Sequence, residues 1–491
     1  MSLKHKASTA VFWSFVDRVF QYGFQALVSV LLARMLQPSE MGLIGMIWVF
    51  ISILWIFNDI GLTPTLMQMK NATELDECSV FYFNIAMSAC AVLAMWFTAP
   101  YIADFYNLPL LCPIARAVSF NMLFNAPGLI QSCILSKKLD LRTQAKTGMI
   151  GSSISGVVAL TLAFNNFGVW SLVAQLLTQS LIRTAALWYF SSWRPKLKFS
   201  WNSIRGMLPF GLKVLFSAFI NAIFDNLYPT AIGKLFSSFQ LGLYTMGARM
   251  PQLFSGSLTT IISRVTIPIF PTLREKPVEF KAAFRRAMLL SMFVNTPILL
   301  GLVGIAPSLV SVVLTTKWLP AVPYLRLFCV VMLMMPYHQY ALDAFLGLGD
   351  ASLHLRVNLL HRILSLLNII STYHLGIPSM LIGEVVVTLL TCFVAACVLA
   401  RRITYPLCEQ IRDIFPTSLA GVAMLIVVQL LTFLPLAGEA EKLIVQIAGG
   451  SCVFFGLCHI FSIEAYIDFV GMVRNFFNHR FIKLSSYSKS P

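Results

Sequence analysis

Arginines and carboxylates spaced among amides and hydroxyls are the residues of this chain that could do chemistry. Ser14, Asp17, Arg18, Gln21 and Gln25 recur every three or four residues, which places them on one helix face. Ser217, Asn221, Asp225 and Tyr228 do the same, and Gln175, Gln179 and Arg183 are strictly four apart. Further faces run through Arg249, Gln252, Gly256, Thr260 and Arg264, and through His354, Asn358, His361 with Arg362, Ser365, Asn368 and Thr372. Asp59, Asp343 and Glu384 stand singly. Arginine offers phosphate five donors in a planar fork. A carboxylate in an apolar segment can take up a proton when burial raises its pKa, or hold Na⁺ with neighbouring amides such as Asn221 and Asn226. The pattern therefore predicts recognition of an anionic cargo and coupling to an ion. Arg18, Gln21, Gln25, Arg183, Asn221, Arg249, Arg264, Asn358 and Arg362 are the substrate-binding candidates, and Asp225, Asp59 and Glu384 the ion-coupling ones. Nothing resembles a P-loop, a GxGxxG or an HExxH. The ten cysteines are scattered, mostly in apolar runs, and read as small buried hydrophobes. No catalytic residue, cofactor or metal site is expected.

The elements that must carry these residues follow from composition. The 491 residues are 58% hydrophobic and only 11% charged, with 39 phenylalanines and a mean hydropathy of +0.78. Soluble domains carry roughly a quarter charged residues, so this chain could not cover a water-facing surface. A β-barrel would show short alternating segments rather than long apolar runs. The formal charge of +16 is no nucleic-acid signal, because Lys and Arg lie in short clusters between apolar stretches. The fold class expected is an all-α polytopic membrane protein. A bilayer core of about 30 Å needs about 20 apolar residues in helix. On that measure about fourteen transmembrane helices are placed near 9–33, 41–66, 80–103, 110–135, 147–165, 168–190, 207–232, 241–269, 284–306, 320–345, 352–374, 377–400, 414–436 and 443–468. The first apolar run continues for a full helix, unlike a cleaved signal peptide.

The N-terminus, alternate connections and the tail after 468 hold most of the Lys and Arg outside the spans, whereas the opposite connections hold only Arg34, Lys234, Lys317 and Lys442. That asymmetry puts both termini in the cytoplasm. An internal echo is also present. "ARMLQPSEMGLIGM" (33–46) matches "GKLFSSFQLGLYTM" (233–246) at a displacement of 200, setting Gly42 on Gly242. "IARAVSF" (114–120) resembles "YLRLFCV" (324–330), and "NNFGVW" (165–170) resembles "TYHLGIP" (372–378). The expected organisation is two pseudo-symmetric six-helix bundles, 1–192 and 205–402, two additional transmembrane helices in 413–468, and a cytoplasmic tail, 469–491. Parallel repeats of this kind frame alternating access around a central site. The polar faces would line one net-basic cavity between the halves.

Plainer roles compete for several of these residues. Arg18 lies close enough to the cytoplasmic end to snorkel, and Arg116, Lys213, Arg326 and Arg356 suit interfacial anchors. Asp59, in "FNDIGL" (57–62), could cap or kink a helix. Arg249 could pair with Asp225 or face outer headgroups. "QPSEMG" (37–42) reads as a Pro turn and a capped helix start, with Ser39 or Pro38 and Glu40 in the first turn.

The stretches "VLLARMLQPSEMGLIGMI", "FNDIGLTPTLMQMKNATELDECSVFYFNI" (57–85), "GKLFSSFQLGLYTMGARM", "VTIPIFPTLREKPVEFKAAFRR" (265–286) and "TTKWLPAVPYLRLFCVV" (315–331) resemble the polysaccharide flippases of the multidrug/oligosaccharidyl-lipid/polysaccharide exporter superfamily. The likeness is to the branch of colanic-acid and teichuronic-acid exporters, and it covers essentially residues 1–400. It implies a lobed transporter of twelve to fourteen helices, not an enzyme. Such a protein moves a polyprenyl-diphosphate-linked oligosaccharide across the bacterial inner membrane by alternating access for surface polysaccharide biosynthesis. It implies as partners the lipid-diphosphate oligosaccharide, anionic membrane lipids and a polysaccharide polymerase, with the protein acting as a monomer and no nucleic acid involved. Coupling to an H⁺ or Na⁺ gradient is left open. A cation-coupled multidrug exporter of the same superfamily is the alternative, which the basic excess disfavours. A membrane-embedded glycan polymerase would ordinarily bring a long outer loop or an acidic reaction centre.

Overall fold

Punctuation by proline, glycine and capping carboxylates decides where these apolar runs become separate helices. The computed structural model describes residues 13, 20–21, 23–59, 61–69, 72–434, 438–471 and 474, and no strand occurs among them. The chain divides into two compact units, Met1–Gly242 and Leu243–Pro491.

The first unit begins, among described residues, with α1 (Gly23–Met35). Pro38 opens α2 (Pro38–Asn58), where its missing N–H costs nothing. Gln37 N–H donates to Glu40 Oε2 at 2.7 Å, so the capped start expected there has Gln37, not Ser39, at its head. The run expected as one span over 41–66 breaks. Gly61 takes φ 69°, and α3 (Leu62–Gln68) follows with Thr63 N–H donating to Asp59 Oδ1 at 2.9 Å. α4 (Glu74–Tyr106), α5 (Leu111–Lys137), α6 (Leu141–Phe164) and α7 (Val169–Phe190) come next. α6 buries Gly148, Gly151, Ser152, Ser155, Gly156 and Ala159, small residues that let neighbouring backbones approach. A Cβ at Gly156 would come within 2.8 Å of the Phe24 ring on α1. The span expected over 207–232 also breaks, into α8 (Trp201–Asp225) and α9 (Leu227–Leu235). At the turn the Asn226 side chain donates to Ala222 O at 2.7 Å and to Ser52 Oγ of α2 at 2.9 Å.

α10 (Ser238–Thr272) crosses the boundary into the second unit, which continues with α11 (Pro277–Val313), α12 (Val322–Gly347), α13 (Ala351–Thr372), α14 (Ile377–Arg402), α15 (Leu407–Leu430), α16 (Glu439–Ile460) and α17 (464–471). Its core holds Phe270, Phe280, Phe284, Phe293, Trp318, Tyr340 and Phe345, each almost fully buried. Arg285 of α11 ties α15 and α17 to it. Its Nε and Nη2 reach Asp413 at 2.6 and 2.8 Å, and its Nη1 and Nη2 reach Glu464 at 2.6 and 2.5 Å. Lys281 pairs with Glu409 at 2.6 Å and Arg286 with Asp468 at 3.2 Å.

Corresponding helices in the two halves of the sequence start with the same devices. Asp140 caps α6 by accepting from Thr143 N–H, just after Leu139 at φ 57°. Asp350 caps α13 by accepting from Leu353 N–H, just after Gly349 at φ 78°. Gly168 (φ 55°) precedes α7 and Gly376 (φ 93°) precedes α14. Arg116 of α5 lies over the Trp96 ring of α4, 5.2 Å from its centroid, while Arg326 of α12 donates to Val303 O of α11 at 3.1 Å. Both arginines bridge to the preceding helix.

Among the described residues, eleven helices are long and apolar enough to cross a membrane. α1, α7 and α13 lie on three more of the expected spans but fall below that measure. α7 and α13 do so because Gln175, Gln179 and Arg183, and the His354–Arg362 stretch, interrupt them.

Candidate functional site

The stripes land on helices, and their surroundings separate exposed charges from buried ones. In the first unit Gln21 is half-buried and Gln25 exposed. Arg18, with Ser14 and Asp17 of the same stripe, lies outside the described residues. Arg183 is exposed on α7, and its Cβ packs where a Cβ at Gly151 of α6 would come within 3.1 Å. Asn221 is half-buried and Asp225 exposed, one turn apart on α8. Asp59 caps α3 through Thr63, the role its setting in "FNDIGL" offered as the plainer reading.

In the second unit Arg249 and Arg264 are exposed on α10, four turns apart and on one side. A charge on a span facing acyl chains costs at least a few kcal/mol, so exposed guanidinium groups mark surfaces that water or a polar ligand reaches. Asn358 and Arg362, one turn apart, are half-buried on α13. Asp350, half-buried at the head of this helix, has its carboxyl held below the usual range, first by the Ser352 hydroxyl, then by Leu353 N–H and by Arg402. Asp343, 3% exposed, accepts from Ser263 Oγ at 2.7 Å and from Gln339 Nε2 at 3.1 Å. It is a satisfied buried carboxyl group.

Glu384 is different. It sits on α14 facing α13, and its Oε1 accepts from Ser365 Oγ at 3.0 Å and lies 3.5 Å from His361 Nε2. The other ring nitrogen of His361 is 3.2 Å from Thr391 Oγ1 of α14. The His338 ring of α12 lies 5.0 Å from that of His361. The sequence singled out Glu384 and His361 separately and missed that they form one group, because helical periodicity gives faces and not neighbours. The salt-bridge cluster on α11 was missed too. Its signal was present: Lys281 and Arg285 are four apart, as are Glu409 and Asp413, and Glu464 and Asp468. Among the described residues no group of His, Cys, Asp and Glu is arranged to hold a metal ion.

Comparison with known proteins gives this arrangement a setting. Residues 31–323 match the family model described as "Polysaccharide biosynthesis protein". The chain is similar to the lipopolysaccharide biosynthesis protein WzxC of Escherichia coli (strain K12), 26% identical over 339 residues, 68% of either chain. It is also similar to the succinoglycan biosynthesis transport protein ExoT of Rhizobium meliloti (strain 1021), 25% identical over 319 residues, 64% of either chain. The teichuronic acid biosynthesis protein TuaB of Bacillus subtilis (strain 168) is 25% identical over 276 residues, 56% of this chain and 57% of its own. The matched stretch thus spans less than two thirds of ExoT and TuaB. Among solved structures, the lipid II flippase MurJ in an inward closed conformation superposes with a TM-score of 0.71 at 13% identity, covering 94% of this chain and 99% of its own. An inward-facing multidrug resistance MATE family transporter of the MOP superfamily gives 0.62 at 14% identity, covering 80% and 98%. At those identities the likeness is one of fold.

Proposed function

The chain belongs to the polysaccharide biosynthesis protein family, and we propose that it is a transporter that flips a polyprenyl-diphosphate-linked oligosaccharide from the cytoplasmic to the outer leaflet of the bacterial inner membrane. The observation that carries this reading is the family match over residues 31–323, in a chain whose fold is that of a lipid flippase along nearly its whole length. Relatives named for lipopolysaccharide and succinoglycan biosynthesis point to a surface glycan as the cargo.

The physics of the cargo fits the residues. A diphosphate taken through hydrocarbon without compensation would be prohibitive. Arg183, Arg249 and Arg264 are exposed on their helices and offer planar forks to phosphate. Gln21, Gln25, Asn221 and Asn358 suit sugar hydroxyls, and Arg18 and Arg362 extend the basic set. The prenyl chain stays in lipid. Alternating access by the two halves read from the sequence, 1–192 and 205–402, carries the headgroup across. In this reading the protein works as a monomer beside a polymerase, with both termini cytoplasmic and the tail over 469–491 against anionic headgroups. It is driven by an ion gradient and catalyses no covalent step.

The test is genetic. A strain lacking the protein should accumulate its lipid-linked repeat unit on the inner leaflet and lose the surface glycan, and plasmid-borne protein should restore both. Restored resistance to cationic drugs, with no change in the glycan, would move the reading to a multidrug exporter.

A further inference from the structure

A cavity of about 170 Å³ lies between α14 and α15 in the second unit. Met292 of α11 and Met334 and Tyr337 of α12 form its floor, and Phe393 and Ala396 of α14 and Ile411 of α15 form its walls. Phe393 and Ile411 are 59% and 64% exposed, so the cavity opens away from the bundle. Its few polar groups are already engaged. The Tyr337 hydroxyl donates to Gln410 Oε1, and Gln410 Nε2 donates to Tyr405 O at 2.6 Å and to Ala396 O at 3.3 Å. A space lined this way has no set of polar partners for a water and takes hydrocarbon instead. On α15 it runs from Leu407 to Ile414, about 10 Å of helix. One leaflet of a bilayer is about 15 Å of hydrocarbon, so the space fits a single chain from one leaflet.

The same ends of α14 and α15 carry charge that the protein does not balance. Glu409 and Asp413 of α15 are held by Lys281 and Arg285, and Arg402 of α14 pairs with Asp350 at 2.8 Å. Arg401 and Arg412 are exposed, and among the described residues neither makes an ion pair. Helical spacing puts both on outward faces. Arg401 is three turns from Leu390, and Arg412 is one turn from Cys408 and from Phe415, all of them exposed. Two guanidinium groups beside an apolar cavity match a phosphate headgroup joined to acyl chains.

We propose that the α14–α15 cavity seats one acyl chain of a resident anionic phospholipid, with its headgroup phosphate at Arg401 and Arg412. The lipid fills the gap between the two helices and packs them together. This inference does not rest on the cargo assigned above, and it uses none of the arginines assigned to that cargo.

Two measurements test it. In the first, purified full-length protein in detergent is titrated with dioleoyl phosphatidylglycerol or dioleoyl phosphatidylcholine and read by native mass spectrometry. The first phosphatidylglycerol should bind about tenfold more tightly than the first phosphatidylcholine. Arg401→Gln with Arg412→Gln should bring the two lipids within about twofold of each other. Lys442→Gln, on α16 beside the far end of α15, should leave the preference intact. The second uses phosphatidylglycerol with a diazirine midway along one acyl chain. Crosslinks are expected on peptides carrying Phe393 or Ile411, and Ala396→Phe, which fills the cavity, should abolish them. Equal affinity for the two lipids in wild type, a preference that survives loss of both arginines, or crosslinks that avoid α14 and α15 overturn the proposal. Crosslinks displaced by an equimolar polyprenyl diphosphate overturn it as well, and give the cavity to the cargo's own chain. If Ala396→Phe does not fold, the arginine pair and the wild-type crosslinks still decide.

Discussion

Gly42 and Gly242 face each other at a crossing of α2 with the first turn of α10, within the first unit. A Cβ added at Gly42 would overlap the carbonyl oxygen of Ser238 and lie 3.0 Å from Gly242 N. One added at Gly242 would overlap the carbonyl oxygen of Pro38 and lie 3.2 Å from Gly42 N. The contact is reciprocal, and its members are the residues that the 200-residue displacement pairs.

Because the obstacles are backbone atoms, they cannot swing aside. Gly42→Ala and Gly242→Ala should each cost about 1–3 kcal/mol, the range for overpacking. Gly206→Ala, in α8 with nothing within 4 Å of its Cβ, should be neutral or slightly stabilising. Thermal unfolding of the purified protein in detergent is the check. Equal melting temperatures for all three variants would mean the crossing is not tight.

The Arg285 cluster sets an order of sensitivity. Asp413 is 10% exposed at its side chain and accepts two bonds from Arg285 and one from the Tyr405 hydroxyl, whereas Glu464 is 58% exposed. Asp413→Ala should cost about 2–3 kcal/mol, near the lower end for breaking a shielded pair. Glu464→Ala should cost about 1 kcal/mol or less. The reverse order in denaturant unfolding would show that α17, not α15, is the anchored partner.

Acid should reveal the Asp350 cap. Its carboxyl is held low by Ser352, Leu353 and Arg402, so the folded state binds its proton less readily than the unfolded chain does. That favours folding above the unperturbed value of 3.8, and the advantage is lost as pH falls through the lower folded value. Asp350→Asn keeps a capping oxygen and removes the charge. Wild type should therefore be the more stable near neutrality, and the two should converge once pH has fallen through the lowered folded value. A gap that persists in acid would assign the effect to shape and not to charge.

Long apolar runs made the helices readable, because the bilayer demands length and hydropathy that few other structures need. What interrupts a run was harder to see. Asp59 at φ −139° and Gly61 at φ 69° end α2 by backbone geometry before α3 begins. At Asn226 a single amide turns the chain by bonding to Ser52, distant in sequence. The candidate residues were found as faces on single helices. Which faces meet depends on helix rotation and depth, and no residue pattern encodes the approach of His361 to Glu384 across 23 positions. Close crossings and left-handed turns restrict residue choice, which fits the echo read from the sequence. Gly42, Gly168 and their counterparts Gly242 and Gly376 therefore appear in both halves.

The most direct measurement of the central claim uses sealed vesicles containing the purified protein and a fluorescent polyprenyl-diphosphate oligosaccharide, with the label on each leaflet followed by a membrane-impermeant quencher. The account predicts that wild-type protein moves the lipid between leaflets. It also predicts that Arg183→Ala, Arg249→Ala and Arg264→Ala together slow the movement at least tenfold, while Arg286→Ala, whose side chain pairs with Asp468, leaves it unchanged. Movement no faster than in protein-free vesicles, or equal rates in wild type and the triple variant, would contradict it.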